Sequence, residues 1–342
     1  MRRLPAEWEH QSGIQLTWPH RHSDWAPWLE QVEPVFVEIA RHICSREKLL
    51  LVCYDTAHRD AILARLQGAG VDLSRVSSYV LPSNDTWARD HGPISILEDG
   101  TPKLLDFTFN GWGRKFDARL DNQLTRGLRG LSAFHDIQVE TVDMVLEGGG
   151  IETDGEGTLL TTTSCQLSPM RNPTLSQAEI EQHLKQEFGV DRFLWLQHGH
   201  LEGDDTDSHI DTLVRFADPA TLVYVACDDP DDSHYTDLKA MEAELQAFRQ
   251  RNGQAYTLVP LPWPAAIRDE DGKRLPASYA NYLIINEAVL VPTYRDAADE
   301  QALETLQRCY PHHQIIGIDC LPLIFQYGSL HCVTMNYIDG IL

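Results

Sequence analysis

The chain of 342 residues predicts a single domain, residues 1–342, of the mixed α/β class and assembled from repeated units. Three observations carry that prediction. One pattern of apolar strand, amphipathic helix and second apolar strand recurs five times, its starting strands lie roughly 55 to 65 residues apart, and no linker rich in Gly, Ser or Pro divides the chain. A conventional doubly wound sheet is the alternative architecture.

The first unit takes residues 49–54 and 76–81 as strands around a helix over 57–68, with Ile62, Leu63 and Leu66 on one helix face. In the second, strands at 104–110 and 137–142 flank a helix at 121–131. The third pairs strands 158–163 and 193–196 with a helix at 176–188; Ser176 and Glu179 form a capping box and Gly189 is the stop. The fourth runs 222–227, 232–250 and 257–261, its helix carrying an apolar stripe of Leu238, Met241, Leu245 and Phe248. The fifth runs 288–294, 299–309 and 315–319. A further helix over 25–43 is available to the unit that closes the array.

Composition excludes several classes of function. The formal net charge is −23, from 28 basic and 51 acidic residues, so neither nucleic acid nor an anionic membrane is an expected partner. The charge suits a small cationic ligand, or simply a soluble surface. No apolar run approaches the roughly 18 residues that a membrane span needs, and MRRLPAEWEH has no apolar stretch behind its arginines, so the expected compartment is the cytoplasm. Seven cysteines without a CxxC pair point to free thiols rather than a disulfide framework or zinc ribbon. Neither a metal nor an organic cofactor is expected. A homodimer is the default association.

The unusual polar strings fall in the loop after each unit. These loops hold Asp90 in NDTWARDHGP, Glu147 in VLEGGG, His209 and Asp211 in GDDTDSHIDT, and Cys332 in GSLHCVT; the fourth loop offers only PASYANY. Equivalent loops of repeated units converge on a common axis, which makes contact among these residues possible. Taken singly each has a plain reading: an Arg89–Asp90 ion pair, a solvated Glu147, a core His209, a solvated acidic loop at 204–207. His209 and Asp211 share one face if their segment is extended, as a base with its carboxylate. Cys332 lies in a turn of small residues whose backbone N–H groups favour a thiolate, whereas Cys44, Cys53 and Cys227 read as small buried hydrophobes.

A Cys–His pair performs covalent attack on an electrophilic carbon. Three added carboxylates would harm amide cleavage, which needs oxyanion donors, but would grip a guanidinium and leave its carbon open to sulfur. Trp87 and Trp112 are candidate walls for such a cation.

These strings resemble the agmatine deiminase family, within the guanidine-modifying superfamily that includes arginine deiminases and bacterial peptidylarginine deiminases. The resemblance covers essentially the whole chain and also includes LPAEWE, WPHRHSDW, FNGWG, RNP at 171–173, VPTY at 291–294 and LEGGGIETDGEGTLLTT. It implies a five-bladed, pseudo-fivefold α/β propeller of the pentein type. It also implies Cys332 as nucleophile, His209 as general acid and base, Asp90 and Asp211 as guanidinium ligands, Glu147 as helper of both, and Trp87 in the pocket wall. The implied reaction turns agmatine into N-carbamoylputrescine and ammonia, on a route to putrescine. Peptidyl arginine is the alternative substrate. Free arginine would need a cation such as Arg89 or Arg114 for its carboxylate. An amidinotransferase and a non-catalytic guanidinium-binding module are the alternatives from other classes. Two strings depart from many family members: YGSLHC stands for a triple glycine before the IHC, and DTDSH for DTNGH.

Overall fold

A computed structural model describes residues 1–342. Its strands form five separate small sheets rather than one wound sheet, each a blade of three or four strands. Four blades share one plan: a short antiparallel strand, then a parallel strand–helix–strand crossover. They are Ile94–Glu98, Thr101–Thr108 and Gln138–Val145; Ile151–Thr153, Thr158–Thr162 and Arg192–Leu196; Val214–Asp218, Thr221–Val225 and Thr257–Leu261; and Leu283–Ile285, Ala288–Thr293 and Gln314–Asp319. The middle strands Thr158–Thr162, Thr221–Val225 and Ala288–Thr293 are buried along almost their whole length, as expected where both sheet faces are covered.

The remaining blade closes the ring with both ends of the chain. Thr334–Ile338 runs antiparallel to Gln11–Thr17, which is parallel to Lys48–Cys53, and Val76–Val80 is added at the edge. This corrects the first repeat. Its true crossover is Gln11–Thr17, helix Leu29–Cys44 and Lys48–Cys53, while the strands and helix expected over 49–81 supply its second half and an extra strand. The expected helix over 25–43 therefore belongs to this blade, entered through a short 3-10 turn at Ala26–Trp28.

Local chemistry sets the helix ends. Asp55 caps Thr56–Gly68 by accepting the His58 N–H, and Ser176 with Glu179 forms the expected capping box on Gln177–Phe188. Gly189 ends that helix at φ 70°, and a Cβ there would lie 1.8 Å from the Arg2 carbonyl oxygen, so glycine also admits the N-terminal strand. Two helices are shorter than expected. Tyr235–Ala247 starts after Asp232, whose carboxylate is drawn away to Arg274 and Trp263, and the 121–131 helix is a 3-10 turn followed by Leu124–Gly130.

Candidate active site

Every segment that leads from one blade to the next delivers a functional side chain to the middle of the ring. The first is the four-residue helix Ala88–His91. Asp90 Oδ2 accepts the Trp112 Nε1–H at 2.9 Å and Oδ1 accepts the Gly149 N–H at 3.0 Å. Arg89 turns the other way, to Asn336 and toward Glu7, so the plain reading of Asp90 as half of an Arg89–Asp90 ion pair does not hold. Trp112 holds φ +54° between two left-handed glycines, and its ring packs edge-on to Phe109 and Phe116. Its indole orients Asp90, a more specific task than forming a wall.

The second segment brings Glu147. A Cβ on the nearby Gly149 would sit 2.6 Å from His209 Nδ1 and 2.9 Å from Asp90 Oδ1, so only glycine lets this backbone approach both groups. Glu147 Oε2 lies 3.1 Å from His209 Nε2, 2.7 Å from Arg171 Nε and 3.8 Å from Cys165 Sγ. Arg171 continues to Asp207 at 2.6 Å and the Thr206 carbonyl at 2.7 Å, tying Glu147 to the loop that carries His209.

That loop corrects the expected pairing. Ile210–Thr212 is a 3-10 turn rather than extended backbone, and the carboxylates facing His209 are Glu147 and Asp90, the latter 3.6 Å from Nδ1. Asp211 instead pairs with His331. Asp207 and Ser208, the residues that depart from the family pattern, both adopt left-handed backbone. Asp204 holds this turn by accepting from the Thr206 and Ser208 N–H groups, and Asp207 pairs with Arg171 and Lys115, so the acidic string is a tied turn.

Cys332 is 5% exposed. Its N–H donates to Asn281 Oδ1 at 3.3 Å, and its Sγ lies 3.4 Å from that oxygen and 3.9 Å from Asp211 Oδ2. The fourth loop, expected to add little, thus contributes a direct contact to the sulfur. Behind Cys332, each ring nitrogen of His331 faces a carboxylate oxygen at 2.7 Å, Nδ1 that of Asp211 and Nε2 that of Glu7. Glu7 also meets Arg215, which bonds Glu152 at 3.0 Å and the Tyr282 carbonyl at 2.6 Å. Three carboxylates and three basic groups therefore share one buried network beneath the sulfur.

Burial dominates the titration of these groups. It pushes the Cys332 thiol well above its ordinary range, with Asp211 and Asp90 adding to the rise, so the resting residue is a thiol rather than the expected thiolate. Asp90 is raised to about 6 by the same loss of water, in spite of His209. For His209, burial opposes the charge but Asp90, Cys165 and Glu147 outweigh it, and the imidazole stays protonated far above its usual range. Glu147 is lowered because His209 and Arg171 overcome its burial.

Asp90 and Cys332 both line one narrow cleft. Trp87, Trp112, Phe116, Tyr327 and Gly328 line it, with Asp24, Asp85, Asp204 and Asp205. A Cβ at Gly328 would lie 2.2 Å from the Trp87 ring, which accounts for the glycine kept in YGSLHC. No lysine or arginine lines the cleft; Arg89 faces a second cavity behind the site, and Arg114 is exposed.

The model of the Porphyromonas-type peptidyl-arginine deiminase family matches residues 3–337. The chain belongs to that family. An agmatine deiminase of Pseudomonas aeruginosa (strain LESB58) is 32% identical over 357 residues, spanning 98% of this chain and 95% of the relative. A Porphyromonas gingivalis protein provisionally named an arginine deiminase superposes with TM-score 0.93 and 51% identity over 100% of both chains. A C. jejuni agmatine deiminase with substrate bound gives TM-score 0.92 and 37% identity, over 100% of this chain and 98% of the other. The pentein architecture expected from the family resemblance is therefore the one this family member adopts.

In this family member the structure brings Asp90, Glu147, His209, Asp211 and Cys332 together, with Trp87 and Trp112 alongside. Sequence reading missed Asn281, Glu7, Cys165 and the task of Arg171. SYANY and RNP offered a signal for Asn281 and Arg171 as ordered strings. LPAEWE offered the same kind of signal for Glu7, but nothing in it points to its partner His331, 324 residues away.

Proposed function

We propose that the chain is a hydrolase of guanidinium C–N bonds that converts agmatine to N-carbamoylputrescine and ammonia, a step toward putrescine. The observation that carries the substrate choice is the cleft over Cys332, which is lined by aspartates and by no cation. Agmatine ends in a second cation, which such walls attract, whereas free arginine would set a carboxylate against them. Protein-bound arginine is the second reading, supported by the family's description and by Phe116, 43% exposed at the cleft rim.

In the proposed mechanism Asp90 and Asp211 hold the guanidinium, with Trp87 against its face. Three of the buried atoms without a hydrogen-bond partner within the protein belong to these candidate residues, Asp211 Oδ1, Glu147 Oε1 and His209 Nδ1, and a forked cation suits the two oxygens. The incoming positive charge offsets the carboxylates that hold the Cys332 proton, which departs to solvent. The thiolate adds to the guanidinium carbon. His209, already protonated, gives its proton to the departing nitrogen as the C–N bond breaks, leaving ammonia and an S-bound thiouronium. His209 then takes a proton from water, whose oxygen adds to the same carbon; collapse breaks the C–S bond, and the remaining hydroxyl proton passes to the departing sulfur, which leaves the neutral ureido product and the free thiol.

An ammonia-release assay with agmatine, arginine and an arginine-containing peptide side by side tests this reading. The expected order has agmatine first by kcat/KM; a peptide preferred over agmatine would transfer the assignment to the second reading. A homodimer in the cytoplasm is the proposed setting.

A further inference from the structure

Cys165 has no part in the mechanism above, yet it is fully buried against the catalytic acid and base. It enters from Thr163–Gln166, a short helix whose N–H at Cys165 is capped by the Thr162 hydroxyl. Its Sγ, a ring nitrogen of His209 and a Glu147 carboxylate oxygen all lie within 4.8 Å of one another. We propose that Cys165, Glu147 and His209 form an inhibitory binding site for a zinc-type divalent cation, distinct from the Cys332 nucleophile.

The donor set and its dimensions support zinc. Thiolate, imidazole and carboxylate are zinc's usual ligands, whereas magnesium and calcium take oxygen alone. Bonds of about 2.0 to 2.3 Å put tetrahedral ligand atoms about 3.3 to 3.8 Å apart. Glu147 Oε2 lies 3.1 Å from His209 Nε2 and 3.8 Å from Cys165 Sγ, so one edge has this length and the other is slightly short of it, while the sulfur and the imidazole lie within 4.8 Å of each other. Two buried oxygens without partners border the cluster, Glu147 Oε1 and Gln166 Oε1. Glu147 would bind the ion through Oε2, the oxygen that Arg171 Nε also reaches, while Arg171 keeps its other contacts to Asp207 and the Thr206 carbonyl.

Charge also balances. The carboxylate and a deprotonated thiol neutralise a divalent ion, while Arg171 retains Asp207 as counter-charge at 2.6 Å. The thiol proton and one imidazolium proton leave to solvent. The ion would then occupy the nitrogen of His209 that faces Glu147 and leave a neutral imidazole, whose remaining N–H is a far weaker acid toward the departing ammonia than the imidazolium. The site would act as a brake on the reaction and take no part in it.

The test measures zinc binding directly, so it stands apart from the proposed activity. Full-length protein competes with a chromophoric chelator for zinc, as wild type and as Cys332→Ala, Cys165→Ala and Cys165→Ser. The expected result is one tightly bound ion in wild type and Cys332→Ala alike, and affinity at least about 100-fold weaker in both Cys165 variants, since even outer-shell losses cost 10- to 100-fold. Circular dichroism establishes that each variant is folded, and the serine variant keeps the volume of the thiol. In the ammonia assay, chelator-reversible inhibition of wild type should shift to higher zinc by the same factor in the Cys165 variants. Loss of zinc binding in Cys332→Ala with retention in folded Cys165→Ser, or no tight binding by wild type, would overturn the proposal.

Discussion

Asp90 shows how one side chain's environment sets the pH behaviour of the molecule. Burial raises its carboxyl to about 6, and Asp85 and Asp205 on the cleft wall are raised to about 6 as well, each by burial first. A raised carboxyl binds its proton more tightly folded than unfolded, so its contribution to stability is present at low pH and lost as pH rises through about 6. The ionised form is the one that attracts a cation. The acid limb of kcat/KM for agmatine should therefore fall below pH about 6, and the rise in Tm caused by agmatine should be larger at pH 7 than at pH 5. A pH series of initial rates beside thermal melts checks both; a flat profile from pH 5 to 7 would remove Asp90 and its neighbours from cation binding.

Elements decide what each of these residues can touch. The strings with Asp90, Glu147, His209 and Cys332 were legible because each lies in a loop after a periodic unit, and five similar units imply a shared axis. What stayed hidden depends on contacts between distant segments. Asp211 looked like the partner of His209 because a single residue, Ile210, separates them, but a 3-10 turn aims Asp211 at His331 instead. The short antiparallel strands also escaped notice, since three-residue runs such as Ile151–Thr153 carry no readable period. The N-terminal segment is the clearest case, since Glu7 joins His331, Arg215 and Arg89 beneath Cys332. Glu7→Gln should lower kcat at least about tenfold, or 1.4 kcal/mol of barrier, by loosening His331 and Asp211. It should also cost roughly 3 kcal/mol of stability, because buried basic groups lose their counter-charge. Denaturant titration and steady-state kinetics of the variant measure both; wild-type values would show that the network supports nothing.

The whole molecule is a ring whose closure depends on its ends. Thr334–Ile338 completes the blade begun by Gln11–Thr17, and Cys332 lies two residues before that final strand. We propose that residues 1–342 unfold as one cooperative unit, since no blade covers its own edges without its neighbours. Removal of residues 334–342 should then abolish the folded baseline in circular dichroism rather than lower Tm by a few degrees; a truncated chain with a native-like melt would show that the blades are independent.

All three scales converge on the sulfur of Cys332. The most direct test of its role is mass spectrometry on enzyme mixed with agmatine, quenched in acid during turnover and digested. The account predicts a thiouronium, agmatine less ammonia, on the peptide that contains Cys332, absent from Cys332→Ala, which should release no ammonia while still binding agmatine. An adduct on Cys165 instead, or ammonia release that survives Cys332→Ala, would contradict it.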